Sequence, residues 1–327
     1  MTKALVLGAT GFIGGHIAKK AIEAGWEVHG FRRNPQSTGQ LEGSEIQWHN
    51  GTLEDYPSLV DAMRGMDYVF HAAANYPGDG NPALVEGHIL AGINQMENVI
   101  RGVREAGVKR LIYTSSLTTI GLPPRTEERL ADERDFYRQG SLPDNGYYEV
   151  KIAMEKIALE AAEHGDDIVI INPALVLGPG DVHLSTGEIL VMIAEGKAIG
   201  VPPGTISIID ARDAAEAQIN AARNGRAGER YILGGGNYSI MEAAGTIARI
   251  AGVSQPKFTI PSWVVDLYIG ISDALPFIPF PHDHVRAYRT WQGYDTSKAR
   301  KELDLKSRPL EETARDSISW FRERGYL

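Results

Sequence analysis

The chain has 327 residues, of which 43% are hydrophobic and 23% are charged, with a formal net charge of −9 and no cysteine. This length supports one large domain or two unequal ones, and the composition is typical of a folded globular protein. The acidic balance without a basic run argues against a nucleic-acid partner. The missing cysteines exclude disulfides, thiol nucleophiles and thiolate metal sites.

Short apolar runs alternate with helical patterns through the first half of the chain, which predicts a parallel sheet with crossover helices. The predicted strands are residues 4–7, 27–31, 46–49, 68–71, 110–114 and 168–171, and the predicted helices are residues 12–24, 58–63, 86–106 and 147–163. Later in the chain, residues 206–209 and 230–233 are predicted as strands that return to the same sheet. The predicted fold class is α/β, a doubly wound parallel sheet with a smaller, discontinuous lobe.

Three glycines separate the first predicted strand from the first helix. Glycine lets the chain turn tightly, lets a pyrophosphate approach the backbone, and lets helix and strand pack closely. Amide groups at a helix start, aided by the helix dipole, then hold phosphate. The alternative is a tight turn without a ligand. The residues predicted to bind the dinucleotide at this turn are Gly8, Thr10, Gly11, Phe12, Ile13 and Gly14.

The end of the second predicted strand bears on the choice of cofactor. NAD-binding folds usually carry an acidic residue there for the ribose hydroxyls, whereas this chain reads Arg32-Arg33-Asn34-Pro35. A guanidinium would pair with a 2′-phosphate, and a carboxylate would repel it. The sequence therefore favours NADP over NAD, with two solvated surface arginines as the alternative interpretation.

Tyr147 and Lys151 stand four residues apart in a predicted helix, so their side chains share one helix face. An ammonium beside a phenol favours the phenolate, which makes the tyrosine a usable proton donor or acceptor. Tyr148 lacks this spacing. The pair follows a strand that ends in Ser115 and Ser116, and a hydroxyl there can stabilise a substrate oxygen. Strand-end serines that only satisfy backbone groups are the alternative.

Together these motifs resemble the extended short-chain dehydrogenase/reductase family, also called the NAD-dependent epimerase/dehydratase family. The resemblance covers nearly the whole chain and is strongest to the branch with dihydroflavonol reductase and 3β-hydroxysteroid dehydrogenase. It implies a Rossmann fold. The supporting segments are GATGFIG (8–14), FHAAA (70–74), GVKRLIYTSS (107–116), YYEVK (147–151), INPALVLGPGD (171–181), IIDARDAAEA (208–217), GERYILGG (228–235) and YDTSKARKELDL (294–305).

The resemblance implies that Ser116, Tyr147 and Lys151 are the catalytic residues, with Ser116 preferred over Ser115 because it lies five residues before Gly121. It also implies a set of cofactor contacts. These are Arg33 at the NADP 2′-phosphate, Leu53 beside the adenine, Ala72 and Ala73 along the path to the nicotinamide, Pro173 near its ring, and Tyr147 and Lys151.

Two positions depart from the pattern of the family. Thr52 stands where relatives commonly have the aspartate of a Gly-Asp-Leu sequence, so the usual carboxylate contact to adenine is missing. Gly92 stands where relatives commonly carry an active-site asparagine, with Asn94 two residues along, which places a water relay through that asparagine in doubt.

The resemblance and motifs predict a division of the chain. Residues 1–174 form the predicted dinucleotide-binding domain, with return segments at about 206–235, and residues 175–327 form mainly the substrate-binding lobe and C-terminal helices. Two long connections, residues 75–85 and 121–146, follow strands on the ligand-binding side of such a sheet. The resemblance also implies that two copies pair through the helices 86–106 and 147–163.

Other candidates are weaker. His71 at a strand end is predicted to be a packing residue and not a base. The run His282-Asp283-His284 is predicted to be a polar turn, and no metal site is expected. No signal peptide is expected, because a strand begins at residue 4 without a charged leader. The most apolar stretch, residues 263–280, contains Asp266 and Asp273 and is interpreted as a pocket-covering helix in a cytoplasmic protein without a membrane contact.

The predicted function is the NADP(H)-dependent reduction of a ketone or aldehyde to an alcohol, or the reverse, on a small and largely apolar substrate. One alternative is a nucleotide-sugar epimerase or dehydratase with tightly bound NAD, which uses the same tyrosine and lysine. It would need a basic clamp for a diphosphate, and residues 175–205 contain only Lys197. A second alternative, a non-catalytic NADP-binding regulator, is disfavoured because the serine, tyrosine and lysine are all present.

Overall fold

Strands and helices alternate along the chain in the computed structural model, which describes residues 1–73, 84–142, 145–275 and 287–327. Within those residues the chain forms twelve strands and ten α-helices. The strands are β1 (Lys3–Leu7), β2 (Glu27–Arg32), β3 (Gln47–Asn50), β4 (Tyr68–His71), β5 (Arg110–Thr114), β6 (Ile168–Pro173), β7 (Leu175–Leu177), β8 (Gly200–Val201), β9 (Thr205–Asp210), β10 (Arg230–Leu233), β11 (Gly236–Ser239) and β12 (Phe258–Thr259).

Helices fill most of the segments between these strands. They are α1 (Phe12–Glu23), α2 (Tyr56–Met63), α3 (Val85–Ala106), α4 (Gly146–Glu163), α5 (Gly187–Ala194), α6 (Ala211–Asn224), α7 (Ile240–Ala251), α8 (Ser262–Ala274), α9 (Ser297–Leu303) and α10 (Leu310–Glu323). Helix bounds agree with the predicted ones to within two residues for the first four. No helix in the described part of the chain is both long enough and apolar enough to cross a bilayer.

The central sheet has seven parallel strands in the order β10-β6-β5-β4-β1-β2-β3, and helices cover both of its faces. Every residue of β6 is buried, as expected for a parallel strand between two helical layers. Apolar side chains from α1 and α6 form the core on one face. Those from α2, α3 and α4 form the core on the other. The doubly wound α/β prediction is confirmed.

A second core joins the elements that follow β6. Helices α5, α7 and α10 bury their apolar faces together there, with Leu190, Ile247 and Phe321 almost inaccessible to solvent. Strand β9 belongs to this region, because it pairs with β7 and β11 in a separate three-stranded sheet. The prediction that residues 206–209 return to the central sheet was therefore wrong. Only β10 returns, in parallel beside β6.

Asp210 is the last residue of β9 and fixes the start of α6. It is the N-cap of α6 and accepts the Arg212 backbone N–H at 2.8 Å. Its buried carboxylate also pairs with the Arg212 guanidinium and accepts the Thr313 hydroxyl at 2.9 Å. This aspartate joins α6 to the C-terminal helix α10.

Candidate active site

A cavity of about 1080 Å³ opens along the carboxyl ends of the central strands β1, β4, β5 and β6. Parallel sheets bind ligands at this edge. Most residues that the sequence predicted for catalysis and cofactor binding line this one cavity. They are Gly8, Thr10, Gly11, Phe12, Ile13, Arg33, Leu53, Ala72, Ala73, Ser116, Tyr147, Lys151 and Pro173.

The glycine turn between β1 and α1 leaves no room for a side chain at Gly8 or Gly14. Gly8 has φ +86°, and a Cβ on it would lie 2.8 Å from the backbone of Ala73. A Cβ on Gly14 would overlap the Gly8 carbonyl oxygen and lie 2.8 Å from its carbon. Gly14 does not line the cavity, so its contribution in this structure is the close packing of α1 on the turn.

Helix α1 begins with its backbone amides facing the cavity. Its N-cap, Gly11, provides no side-chain acceptor, and the first turn contains no acidic residue. Phe12 and Ile13 therefore start the helix with N–H groups that have no intrahelical partner, at the positive end of the helix dipole. A groove with a glycine floor and free amides fits a dinucleotide diphosphate.

The far end of the cavity carries two arginines in different situations. Arg32 ends β2, and its guanidinium is already engaged by other side chains. The guanidinium carbon lies 4.5 Å from the Trp48 ring centroid, and Nε donates to Asn50 Oδ1 at 3.0 Å. Arg33 is exposed and forms no hydrogen bond or ion pair with the residues that the structure describes. Of the two, Arg33 is the guanidinium available to a ligand.

Glu54 lines the same end of the cavity, and sequence analysis did not identify it. Its Oε1 accepts from Gln95 Nε2 at 2.6 Å. Burial alone would raise its pKa, but hydrogen bonds from Gln95 and Thr52, with a smaller contribution from the charge of Arg33, hold the pKa below its usual value. The available signal was its position just after β3, two residues beyond the missing aspartate at Thr52. A carboxylate at the same end of the cavity as Arg33 bears directly on the choice between a 2′-phosphate and free ribose hydroxyls.

Helix α4 holds the predicted tyrosine–lysine pair. It begins at Gly146, where the Asn145 side chain accepts the Tyr148 N–H at 3.2 Å. Tyr147 in the first turn is partly exposed to the cavity, and Lys151 one turn later is only 4% exposed. Lys151 Nζ donates to the Thr114 carbonyl at 3.2 Å. The i, i+4 spacing thus places both side chains at the cavity wall, as predicted.

Burial controls the charge of Lys151. Removal from water lowers its pKa to about 8, and the negative charge of Glu155 opposes this shift. The lysine is therefore still mostly protonated at pH 7. A buried ammonium with a pKa near the working pH is typical of functional sites.

The two serines after β5 are in different environments. Ser115 Oγ is buried and has no hydrogen-bond partner within the described residues, whereas Ser116 is half-buried. Ser116 Oγ accepts the Thr118 N–H at 3.2 Å and caps a short 3₁₀ turn. This bond agrees with the alternative interpretation that the serine satisfies a backbone group. In this bond, however, the hydroxyl oxygen acts only as an acceptor. The Ser116 hydroxyl proton is still available to a ligand in the cavity.

The secondary candidates do not join this site. His71 is fully buried, and burial lowers its pKa to about 3, so it is a neutral packing residue at ordinary pH. Asn94 is exposed and does not line the cavity, while a Cβ on Gly92 would lie 3.0 Å from Val150 Cγ1. The glycine thus serves the packing of α3 on α4, and Asn94 offers no relay.

Two further predictions concern segments that lie wholly or partly outside the described residues. His282-Asp283-His284 lies outside the described residues, and within those that are described no group of three His, Cys, Asp or Glu could hold a metal. The segment 75–85 is also described only from residue 84. Residues 262–271 form most of α8, but none of them lines the cavity, and Trp263 is 68% exposed. Residues 262–271 therefore contribute nothing to the cavity lining, and most of the rest of the predicted pocket-covering stretch has side chains outside the described part of the chain.

Aromatic and hydroxyl side chains form the substrate end of the cavity. Tyr148 is buried, and its Oη lies 3.1 Å from Thr290 Oγ1. From residue 173 onward, the described lining residues include no lysine or arginine. Those nearest this end are Tyr137, Tyr147, Tyr148, Leu184, Thr205, Ile206, Thr290, Trp291, Gln292 and Tyr294.

Comparisons with known proteins agree with this geometry. The sequence model of the NAD dependent epimerase/dehydratase family matches residues 4–234. A Synechocystis sp. protein whose name assigns it provisionally to dihydroflavonol 4-reductase is 30% identical, over 98% of this chain and 95% of its own. Cinnamoyl-CoA reductase 1 of Petunia hybrida is 29% identical, over 98% of this chain and 92% of its own.

A solved structure gives a different indication of chemistry on the same fold. A Pseudomonas aeruginosa protein described as a nucleoside-diphosphate-sugar epimerase superposes with a TM-score of 0.84 at 26% identity, and the match covers 100% of this chain and 99% of that one. Relatives with reductase and epimerase names therefore share this architecture.

Proposed function

The chain belongs to the NAD-dependent epimerase/dehydratase family and is an NAD(P)-dependent enzyme of the extended short-chain dehydrogenase/reductase class; from this premise we propose that it is an NADP(H)-dependent carbonyl reductase. It would interconvert a ketone or aldehyde and the alcohol, on a small and largely apolar substrate. One observation carries the proposal: Ser116, Tyr147 and Lys151 line one cavity together with the glycine turn.

In this proposal a bound nicotinamide dinucleotide supplies or accepts the hydride. Tyr147 donates the proton to the substrate oxygen, and Ser116 donates a hydrogen bond to the same oxygen. Lys151 contributes its positive charge, which favours the phenolate and so eases proton release from Tyr147. Amides at the start of α1 hold the diphosphate, and Arg33 holds the 2′-phosphate.

The character of the substrate end favours a carbonyl compound over a nucleotide sugar. A sugar diphosphate needs cations, and in the described lining beyond residue 173 there are none. Tyrosines, Trp291 and Leu184 provide apolar walls with a few hydroxyl groups, which suit a largely apolar molecule. The epimerase reaction stays the second candidate because a structural relative at 26% identity carries that name.

A turnover assay with matched tyrosine variants tests the proposal. Purified protein is mixed with NADPH and a panel of aliphatic and aromatic ketones and aldehydes, and absorbance at 340 nm is followed. Tyr147→Phe should reduce kcat at least about 100-fold, the usual contribution of a positioned acid, while NADPH affinity changes little. Tyr148→Phe removes a neighbouring phenol without the helical spacing and should keep kcat within severalfold.

Two outcomes would overturn this assignment. Turnover that persists in Tyr147→Phe would exclude that residue as the proton donor. A nicotinamide that co-purifies, does not exchange, and supports interconversion of UDP-sugars would establish the epimerase reaction instead.

Assembly and location are also proposals. Pairing of two copies through α3 and α4 is supported by the exposed residues Gly87, Leu90 and Ala91 on the first half of α3. Light scattering on the purified protein measures the mass directly, and a monomer at working concentration would exclude it. A cytoplasmic location, testable by cell fractionation, remains an expectation from the sequence.

A further inference from the structure

Helix α4 carries a third polar residue on the same face as the catalytic pair. Tyr147, Lys151 and Glu155 follow one another at intervals of four residues, so their side chains lie along one side of the helix. Glu155 is 2% exposed and does not line the cavity. Burial of a carboxylate costs free energy unless hydrogen bonds or opposite charges compensate for the lost water, so the partners of Glu155 indicate its role.

Three groups surround the Glu155 carboxylate. Arg230 of β10 forms an ion pair with it, with Nε 2.9 Å from Oε1 and both side chains 3% exposed. On the other oxygen, Oε2 accepts from Asn172 Nδ2 at 2.6 Å and lies 2.8 Å from Thr119 Oγ1. These partners come from β6, β10 and the turn after β5. The carboxylate is thus the point where three separate segments meet.

Two of these partners also hold the backbone of Ser116. Asn172 Nδ2 donates to the Ser116 carbonyl oxygen at 3.0 Å, and Thr119 Oγ1 lies 2.9 Å from the same oxygen. Because Asn172 has two amide hydrogens, it can donate to Glu155 and Ser116 at once. The Asn172 side-chain amide therefore connects the Glu155 carboxylate to the backbone of Ser116.

Glu155 also influences the catalytic lysine. The groups that face Lys151 are Tyr147 and Glu155 on its own helix, His71 on β4 and Tyr113 on β5. Burial keeps His71 neutral and raises the pKa of Tyr113, so neither carries a charge at neutral pH. Among the described residues, Glu155 is the anion that opposes the loss of charge from Lys151.

We propose that Glu155 is a positioning residue that serves both catalytic groups. Through Asn172 it fixes the Ser116 carbonyl and hence the start of the turn that carries the serine hydroxyl. Through its charge it keeps Lys151 protonated although that side chain is fully enclosed. The role in turnover rests on the proposed reductase function, whereas the effect on the charge of Lys151 does not.

The sign of the expected effect follows from the charge. The carboxylate raises the pKa of Lys151, so Glu155→Gln should lower the midpoint of Lys151 titration from about 8 by about one pH unit. Activity that needs charged Lys151 is present below that midpoint and lost above it. The alkaline limb of the kcat profile should therefore move to lower pH in the variant.

The first measurement needs no substrate. Protein labelled with ¹³C at lysine Cε is titrated by NMR without ligand, and Lys151→Arg assigns the resonance. Because Glu155→Gln alone leaves Arg230 buried and unpaired, the double variant Glu155→Gln/Arg230→Gln is measured beside it. Thr119→Val removes one contact to the carboxylate but keeps its charge, and it should leave the midpoint within a few tenths of a pH unit.

Activity profiles then separate the two roles. In Glu155→Gln and in the double variant the alkaline limb should shift together with the NMR midpoint, whereas Thr119→Val should lower kcat without a shift. An unchanged titration midpoint of Lys151 in both Glu155→Gln and Glu155→Gln/Arg230→Gln would overturn the proposal. A shift in Thr119→Val as large as the shift in Glu155→Gln would also overturn it. If no carbonyl compound is reduced, the titration still decides the charge effect, so the proposed function fails separately.

Discussion

The two ends of the cavity are built from different kinds of atoms. At the cofactor end, the β1–α1 turn contributes main-chain groups to the surface, because Gly8 and Gly14 leave no space for side chains there. At the substrate end, side chains from α4, from the region after β7 and from residues 290–294 form it. A surface made of backbone depends on local geometry, whereas one made of side chains depends on how remote segments pack. The first end is therefore rigid and general, and the second is adaptable and specific.

The strongest test of the difference between the two ends is a substitution that adds a methyl group at the cofactor end. Gly14→Ala places a Cβ against the Gly8 carbonyl, a contact between two backbone segments that neither can relieve by a rotamer change. We expect a loss of about 2–3 kcal/mol in the free energy of unfolding and weaker dinucleotide binding. Urea denaturation measures the first and a fluorescence titration the second.

Gly87→Ala is the matched control for that substitution. Gly87 lies in α3 with no atom within 4 Å of an added Cβ. Replacing an exposed helix glycine by alanine should stabilise the protein by up to about 1 kcal/mol. Equal stability of the two variants would mean that the turn is not rigid.

Removal of a positive charge at the cofactor end should have a smaller effect, and the effect should be limited to the affinity for NADPH. Arg33→Ala removes the exposed guanidinium, and hydrogen bonds to charged groups contribute about 1.5–3 kcal/mol. NADPH affinity should fall roughly ten- to 100-fold while NADH affinity stays the same. Arg64→Ala, a surface arginine paired with Asp61, controls for net charge. An equal loss for both cofactors, or for neither, would remove Arg33 from the 2′-phosphate site and favour NAD held near Glu54.

The substrate end should respond least to a single deletion. Tyr148→Phe removes the contact to Thr290 Oγ1, a change of about 1 kcal/mol that should appear as a severalfold change in KM with NADPH affinity intact. Tyr326→Phe removes a similar hydroxyl, bonded to the Val182 carbonyl at 3.1 Å and away from the cavity. The control should leave KM unchanged. A KM effect of the same size in both variants would indicate a general loss of stability.

The predictions that succeeded concern features contained within one element or one turn. Seven strands of the central sheet and the spacing of Tyr147 and Lys151 could be predicted because periodicity and helix geometry act over a few residues. The assignment of residues 206–209 to that sheet failed because its apolar pattern fits any buried strand. Pairing partners are chosen by the whole fold, and the pattern of one strand does not identify them.

Sequence by itself determined the parallel sheet, the glycine turn and the placement of Tyr147 and Lys151 on one helix face, since each follows from the spacing of residues that are close along the chain. Tertiary structure decided that Glu54 lines the same end of the cavity as Arg33, and that residues 262–271 of α8 lie outside the cavity lining. It also decided that Asn172 contacts both Glu155 and Ser116, although Ser116 lies 56 residues earlier in the chain. Such contacts depend on where distant segments meet. Burial then determines their energy, because a charge or amide acts strongly only where water is excluded.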